Sequence, residues 1–172
     1  MIDLKKYIET YPDFPKPGIL FYDISSLMAD AKIWQETINQ FSSLVKKYKP
    51  EVLAGIESRG FIFASTIAYK LGCDVIMIRK KGKLPGKTIH HFYKLEYGTD
   101  CLEIQKRETL KNKNVILIDD LLATGGTASA AIELLKKVEA NISAFLTLIE
   151  LTNLKGRDKI KVETDSLISF DE

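Results

Sequence analysis

The sequence predicts an α/β protein in which a mainly parallel, twisted sheet carries helices on both faces. Three observations lead there. Four short runs, 52–56, 74–79, 115–118 and 144–149, are dominated by consecutive apolar residues, the pattern of strands buried on both sides. Stretches with helical spacing, 61–71 and 127–138, separate the first run from the second and the third from the fourth, and that succession makes neighbouring strands parallel. The chain has 172 residues, 45% apolar and 28% charged, which is the size and make-up of one ordinary domain able to bury a core.

The elements follow in order. A short helix is expected near 3–10. Pro12, Pro15 and Pro17 then bar helix and force an extended, turning segment up to Gly18, so that 1–30 forms a small N-terminal hood. From 32 to 48, Trp34, Ile38, Phe41, Val45 and Tyr48 recur at steps of three and four, one face of an amphipathic helix that Pro50 ends. The strand at 52–56, the helix at 61–71 and the strand at 74–79 come next. Gly82, Pro85 and Gly86 break regular structure after that, and 80–95 reads as a mobile loop. The strand at 115–118 leads to a helix with Ala128, Ala131, Leu135 and Val138 inward, then to the strand at 144–149. No repeat, linker or low-complexity tract divides the chain, so 1–172 is expected to be a single domain.

Charge and cysteine usage limit the partners. Lys and Arg number 25 against 23 Asp and Glu, a formal charge of +2, which argues against a nucleic-acid partner or an acidic membrane surface. No apolar run approaches the roughly 20 residues of a membrane span, and the N-terminal sequence has no signal core. Cys73 and Cys101 fit neither a zinc spacing nor a disulfide framework, so a reducing cytoplasm is expected.

In parallel sheets ligands sit at the carboxyl ends of the strands, and three loops there carry unusual residues. Asp119 and Asp120 close one strand and are followed by Ala123-Thr124-Gly125-Gly126-Thr127 at the start of a helix. Two carboxylates at a strand end call for hydroxyls or a cation, and small residues at a helix N-terminus offer bare amides to phosphate. The bland alternative is a turn in which Thr127 caps the helix and the acids are solvated. A second loop, Glu57-Ser58-Arg59-Gly60, lets a guanidinium and backbone amides approach an anion together, or leaves a surface Arg at a helix start. The third holds Arg79, Lys80, Lys81, Lys83, Lys87 and Lys94 with no acid before Glu96, either a solvated charge run or a basic loop able to close over a polyphosphate. Only three residues separate Gly82 from Gly86, which excludes a P-loop, and no G-x-G-x-x-G accompanies any strand.

The stretch 118–127 resembles the phosphoribosyl diphosphate-binding motif of type I phosphoribosyltransferases. Phe14-Pro15-Lys16-Pro17-Gly18-Ile19-Leu20-Phe21, Gly55-Ile56-Glu57-Ser58-Arg59-Gly60-Phe61, Arg79-Lys80-Lys81-Gly82-Lys83-Leu84-Pro85-Gly86, Leu95-Glu96-Tyr97-Gly98 and the segment 150–157 are similar to the adenine-specific members of that family, in the same order from about Pro12 to Arg157. The resemblance implies the type I fold, magnesium as cofactor, a homodimer, and transfer of 5-phosphoribosyl from phosphoribosyl diphosphate to N9 of adenine in purine salvage. It puts the 5′-phosphate on Ala123, Thr124, Gly125, Gly126 and Thr127, and the ribose hydroxyls on Asp119 and Asp120. Magnesium would sit mainly on substrate oxygens, with Asp119 and Asp120 as its nearest protein groups. The diphosphate would lie near Arg59, Arg79, Lys80 and Lys83. The base would lie between Phe21 and Leu151 with main-chain groups around Leu20 reading its edge, and Glu96 would be the catalytic group beside the purine. Another purine and a non-catalytic sensor of the sugar diphosphate stand as alternatives. One departure is Tyr22, where the family often carries a basic residue. His90 and His91 read as solvated, and Trp34, Phe41 or Phe61-Ile62-Phe63 as either core or dimer face.

Overall fold

The computed structural model describes residues 2–95 and 98–171. Chain order is β1 (Glu9–Tyr11), β2 (Phe21–Asp23), α1 (Ser25–Ala29), α2 (Ala31–Lys46), β3 (Val52–Ile56), α3 (Gly60–Leu71), β4 (Asp74–Lys80), β5 (Thr88–Leu95), β6 (Gly98–Gln105), β7 (Asn114–Leu122), α4 (Gly126–Lys137), β8 (Asn141–Leu151) and β9 (Glu163–Phe170), with short 3₁₀ turns between. The main sheet runs β5-β6-β4-β3-β7-β8-β9. Five consecutive strands, β4-β3-β7-β8-β9, are parallel, and β6 and β5 join β4 antiparallel.

Local chemistry explains the helices. Asp30 caps α2 by accepting from Lys32 N at 2.8 Å and Ile33 N at 3.2 Å. The buried face of α2 is Ile33, Thr37, Ile38, Phe41, Ser42, Leu44 and Val45, with Trp34 and Tyr48 half-buried at its margin. α2 and α3 cover one face of the sheet around Phe41, Phe63 and Ile116, and α4 covers the other around Ala131, Leu135 and Phe145. Phe41 and Phe63 are wholly buried, so they are core and not a dimer face. No helix among the described residues is long and apolar enough to cross a membrane.

Three regions differ from the sequence reading. The expected helix at 3–10 is a 3₁₀ turn, Leu4–Tyr7, followed by β1, which pairs with β2 as a two-stranded hood sheet. The segment 80–95 is the end of β4, a turn over 81–87 and then β5, the first arm of a hairpin. It is regular because Ile89 and Tyr93 alternate inward onto the α4-side core while Phe92 and Lys94 face out. The strand β9 was not foreseen, because its sequence, Glu-Thr-Asp-Ser-Leu-Ile-Ser-Phe, buries only Ile168 and Phe170.

The order of strands sets the site. β3 connects through α3 to β4 on one side, and β7 through α4 to β8 on the other, with the two helices on opposite faces. The carboxyl ends of β3 and β7 therefore flank a topological switch point, where a crevice opens between diverging loops.

Candidate active site

A cavity of about 560 Å³ occupies that crevice, lined by Phe21, residues 56–59 and residues 119–128. Of the residues singled out in the sequence, Phe21, Arg59, Asp119, Asp120, Ala123, Thr124, Gly125, Gly126 and Thr127 meet here. Leu20, Leu151, Arg79, Lys80 and Lys83 lie outside the lining, and Glu96 lies outside the described residues.

The turn from β7 into α4 shapes one wall. Gly125 is the N-cap of α4 with φ 76°, a left-handed conformation that favours glycine, and the first helical bond runs from Ser129 N to Gly125 O at 2.9 Å. The amides ahead of that bond have no intrahelical acceptor and sit at the positive end of the helix. A side chain at Gly125 would collide with the carbonyl of Gly156, whereas a Cβ on Gly126 would meet nothing within 4 Å beyond its chain neighbours and its own helix backbone. The two glycines therefore differ in kind: Gly125 packs against the protein, and Gly126 leaves room.

The acids form the opposite corner. Asp119 Oδ1 accepts from Asp120 N at 2.9 Å, and the start of α3 approaches so closely that a Cβ on Gly60 would lie 2.8 Å from Ile118 O and 3.0 Å from Asp119 Oδ1. Burial, and then the Asp120 carboxylate beside it, push the Asp119 carboxyl well above the ordinary carboxylate range, an effect that Arg59 only partly offsets. Asp120 Oδ2 is buried and lies 2.7 Å from Arg59 Nε as an ion pair, without an aligned hydrogen bond. The Arg59 guanidinium also stands 5.2 Å from the centroid of the Phe21 ring, which in turn meets Phe14 edge-on at 5.1 Å. The hood thus reaches the 57–60 loop through Phe21. Tyr22, next on the strand, points the other way and packs in the core against Phe170 at 4.6 Å, so it takes no place in the cavity.

Glu57 is the residue that sequence reasoning left without a role. It lines the cavity and gathers the basic segment: its carboxylate accepts from Lys80 N at 2.9 Å and Arg79 Nε at 3.3 Å and pairs with the Lys83 ammonium. Burial favours the protonated acid, but the Lys83, Lys80 and Arg79 donors outweigh it and hold Glu57 below its usual range. Lys80 Nζ pairs with Asp100 at 2.8 Å, and Glu103 accepts from Lys83 N and Leu84 N, each at 2.8 Å. The run without acids is therefore compensated in space by acids from the 57–60 loop and from β6. Its one available sequence signal was an acid placed directly after a buried strand. His90 is exposed on β5 in register with Glu103 of β6, His91 is half-buried, and neither lines the cavity.

Fold and cavity together define a protein that can hold a phosphate at a helix N-terminus and a diol or cation on paired acids. In agreement, residues 24–171 match the family model described as Phosphoribosyl transferase domain. Relatives named adenine phosphoribosyltransferase from Rhodospirillum rubrum and Acidiphilium cryptum are 54% and 52% identical over 170 and 171 residues, covering 99% of this chain and 99% and 100% of those proteins. The solved adenine phosphoribosyltransferase of Thermoanaerobacter pseudethanolicus superposes with a TM-score of 0.94 at 41% identity, covering 98% of each chain. That of Saccharomyces cerevisiae, solved with an imino-altritol bisphosphate and adenine, gives a TM-score of 0.92 at 40% identity and covers 96% of each. The chain belongs to the adenine phosphoribosyltransferase family.

Proposed function

We infer that this chain transfers 5-phosphoribosyl from phosphoribosyl diphosphate to N9 of adenine, giving AMP and diphosphate. The observation that carries the reading is the one cavity that Asp119 and Asp120 line together with the glycine turn at the start of α4. In it, the amides of 123–127 take the 5′-phosphate, and the two carboxylates take the ribose hydroxyls. Arg59 faces the diphosphate from the loop opposite, and Arg79, Lys80 and Lys83 close on it from the basic turn that Glu57 and Glu103 hold in place. As the bond at C1′ breaks, positive charge grows on the ribose and negative charge on the leaving group, so the reaction needs acids at one end and bases at the other. Closure over the pair excludes water that would hydrolyse the activated sugar.

Magnesium suits such a site, because it takes few protein ligands and most of its oxygens from substrate and water. Asp119 and Asp120 are the carboxylates that would face it, and Asp120 Oδ2 has no aligned donor. Bound there, the ion supplies positive charge to the diphosphate. The base lies between Phe21 and Leu151, main-chain groups around Leu20 read its edge, and Glu96 bonds to the purine while N9 attacks. Glu96→Gln is expected to lower kcat roughly 10²-fold with little change in the KM for phosphoribosyl diphosphate. Unchanged turnover at saturating substrates would remove Glu96 from the chemistry.

The protein acts in the cytoplasm, in keeping with two free thiols. It works as a homodimer, with exposed Tyr69 on α3 and exposed Val75 and Met77 on β4 as apolar residues available to join it, and sedimentation at micromolar concentration reads that state. The activity itself is tested by supplying phosphoribosyl diphosphate and magnesium with adenine, hypoxanthine, guanine or xanthine in turn. AMP formed from adenine alone supports the reading, and a preference for another base redirects it.

A further inference from the structure

The floor of the phosphate turn is a second glycine backbone, brought there by a residue that does not line the cavity. Gly156 is buried although both its neighbours are exposed. A Cβ on Gly156 would run into the carbonyl of Ala123 and lie 2.8 Å from Leu122 Cδ1 and 3.1 Å from Gly125 N. A Cβ on Gly125 would likewise run into the Gly156 carbonyl and lie 3.2 Å from its Cα. With bare backbone on both sides of the contact, wherever 156 sits, 123–125 must follow.

Residue 156 belongs to an exposed turn after β8, and the turn is fastened by its next residue. Arg157 grips Glu150 with both prongs, Nε to Oε1 and Nη2 to Oε2, each at 2.5 Å, and Nη1 donates to the Thr164 carbonyl. Ser166 Oγ adds a 2.9 Å bond to Glu150 Oε2. The Glu150 side chain is only 7% exposed and, on β8, stands in register with Leu122 of β7 and Ser169 of β9. Arg157 thus ties the turn to two strands, β8 through Glu150 and β9 through the Thr164 carbonyl.

We propose that Arg157 is a positioning residue: held by the fork of Glu150, it presses the Gly156 backbone against 123–125 and so sets the alignment of the amides that receive the 5′-phosphate. This rests on the phosphoribosyl reading above. Arg157→Lys keeps the charge opposite Glu150 but loses the planar two-pronged geometry. Titrating the folded variant with ribose 5-phosphate and, separately, with magnesium diphosphate distinguishes positioning from general damage. The expected result is a 10- to 100-fold weaker ribose 5-phosphate affinity, the scale of a displaced binding group, with diphosphate affinity within about twofold of the parent. Ribose 5-phosphate affinity within twofold of the parent overturns the proposal, and so does an equal loss for both ligands. Should Arg157→Lys not fold, Glu150→Gln, which halves the fork from the other side, is titrated in the same way against the same limits. A parent protein that binds diphosphate but not ribose 5-phosphate would instead overturn the phosphoribosyl reading, and the proposal with it.

Discussion

Gly126→Val is expected to raise the KM for phosphoribosyl diphosphate on the order of 10³-fold, with Tm within about 2 °C of the parent protein. The effect is steric and local. Gly126 is the first residue of α4 and lines the cavity, and beyond its chain neighbours and its own helix backbone its Cβ would meet nothing within 4 Å. Valine there costs the fold little but fills the volume above the helix N-terminus, where the free amides face the cavity. A phosphate excluded from them loses two or three hydrogen bonds to a charged group, roughly 1.5 to 3 kcal/mol each, which reaches a thousandfold. Gly125→Val makes the contrast: with φ at 76° and Gly156 in contact, it is expected to lower Tm as well as affinity. Isothermal titration and thermal melts on both variants separate the two effects. If Gly126→Val binds phosphoribosyl diphosphate normally, the phosphate lies elsewhere.

That contrast shows what a sequence can and cannot disclose. The central strands were legible because β3, β7 and β8 are buried on both faces, which demands runs of apolar residues such as Val115 to Ile118. The β5–β6 hairpin was not, because outward His90, Phe92 and Lys94 break up any apolar run and its first arm follows glycines and a proline that read as loop. β9 was hidden for the related reason that an edge strand buries only part of one face. In the site, the Asp119–Thr127 segment was legible since acids and glycines adjoin in sequence. The pairing of Arg59 with Asp120, the gathering of Arg79 and Lys83 by Glu57, and the glycine contact between 125 and 156 join segments that only the strand order makes neighbours. Counting charges along 79–95 found the cations and missed their partners.

Paired acids bear on stability as well as on catalysis, and the two effects run in opposite directions. Because burial and Asp120 raise the Asp119 carboxyl, the folded chain holds this proton to a higher pH than the unfolded chain does. Stability is then lost as pH climbs from the ordinary carboxylate range through the elevated folded value. Asp119→Asn removes that cost, so its Tm is expected to exceed the parent's at neutral pH and to match it near pH 3, where both states of the parent are protonated. Catalysis moves the other way. Ribose hydroxyls and a magnesium-bearing substrate repay the cost only when the acids are present, so the strain of keeping them together is retained for binding. Asp119→Asn/Asp120→Asn gives up two hydrogen bonds to charged groups, about 3 to 6 kcal/mol in all, and is expected to lower kcat/KM by roughly 10² to 10⁴-fold. Melts across pH and steady-state rates with adenine check both halves. A double variant as active as the parent would mean that the ribose is held by other groups. An Asp119→Asn variant no more stable at neutral pH would mean that the pair carries no strain.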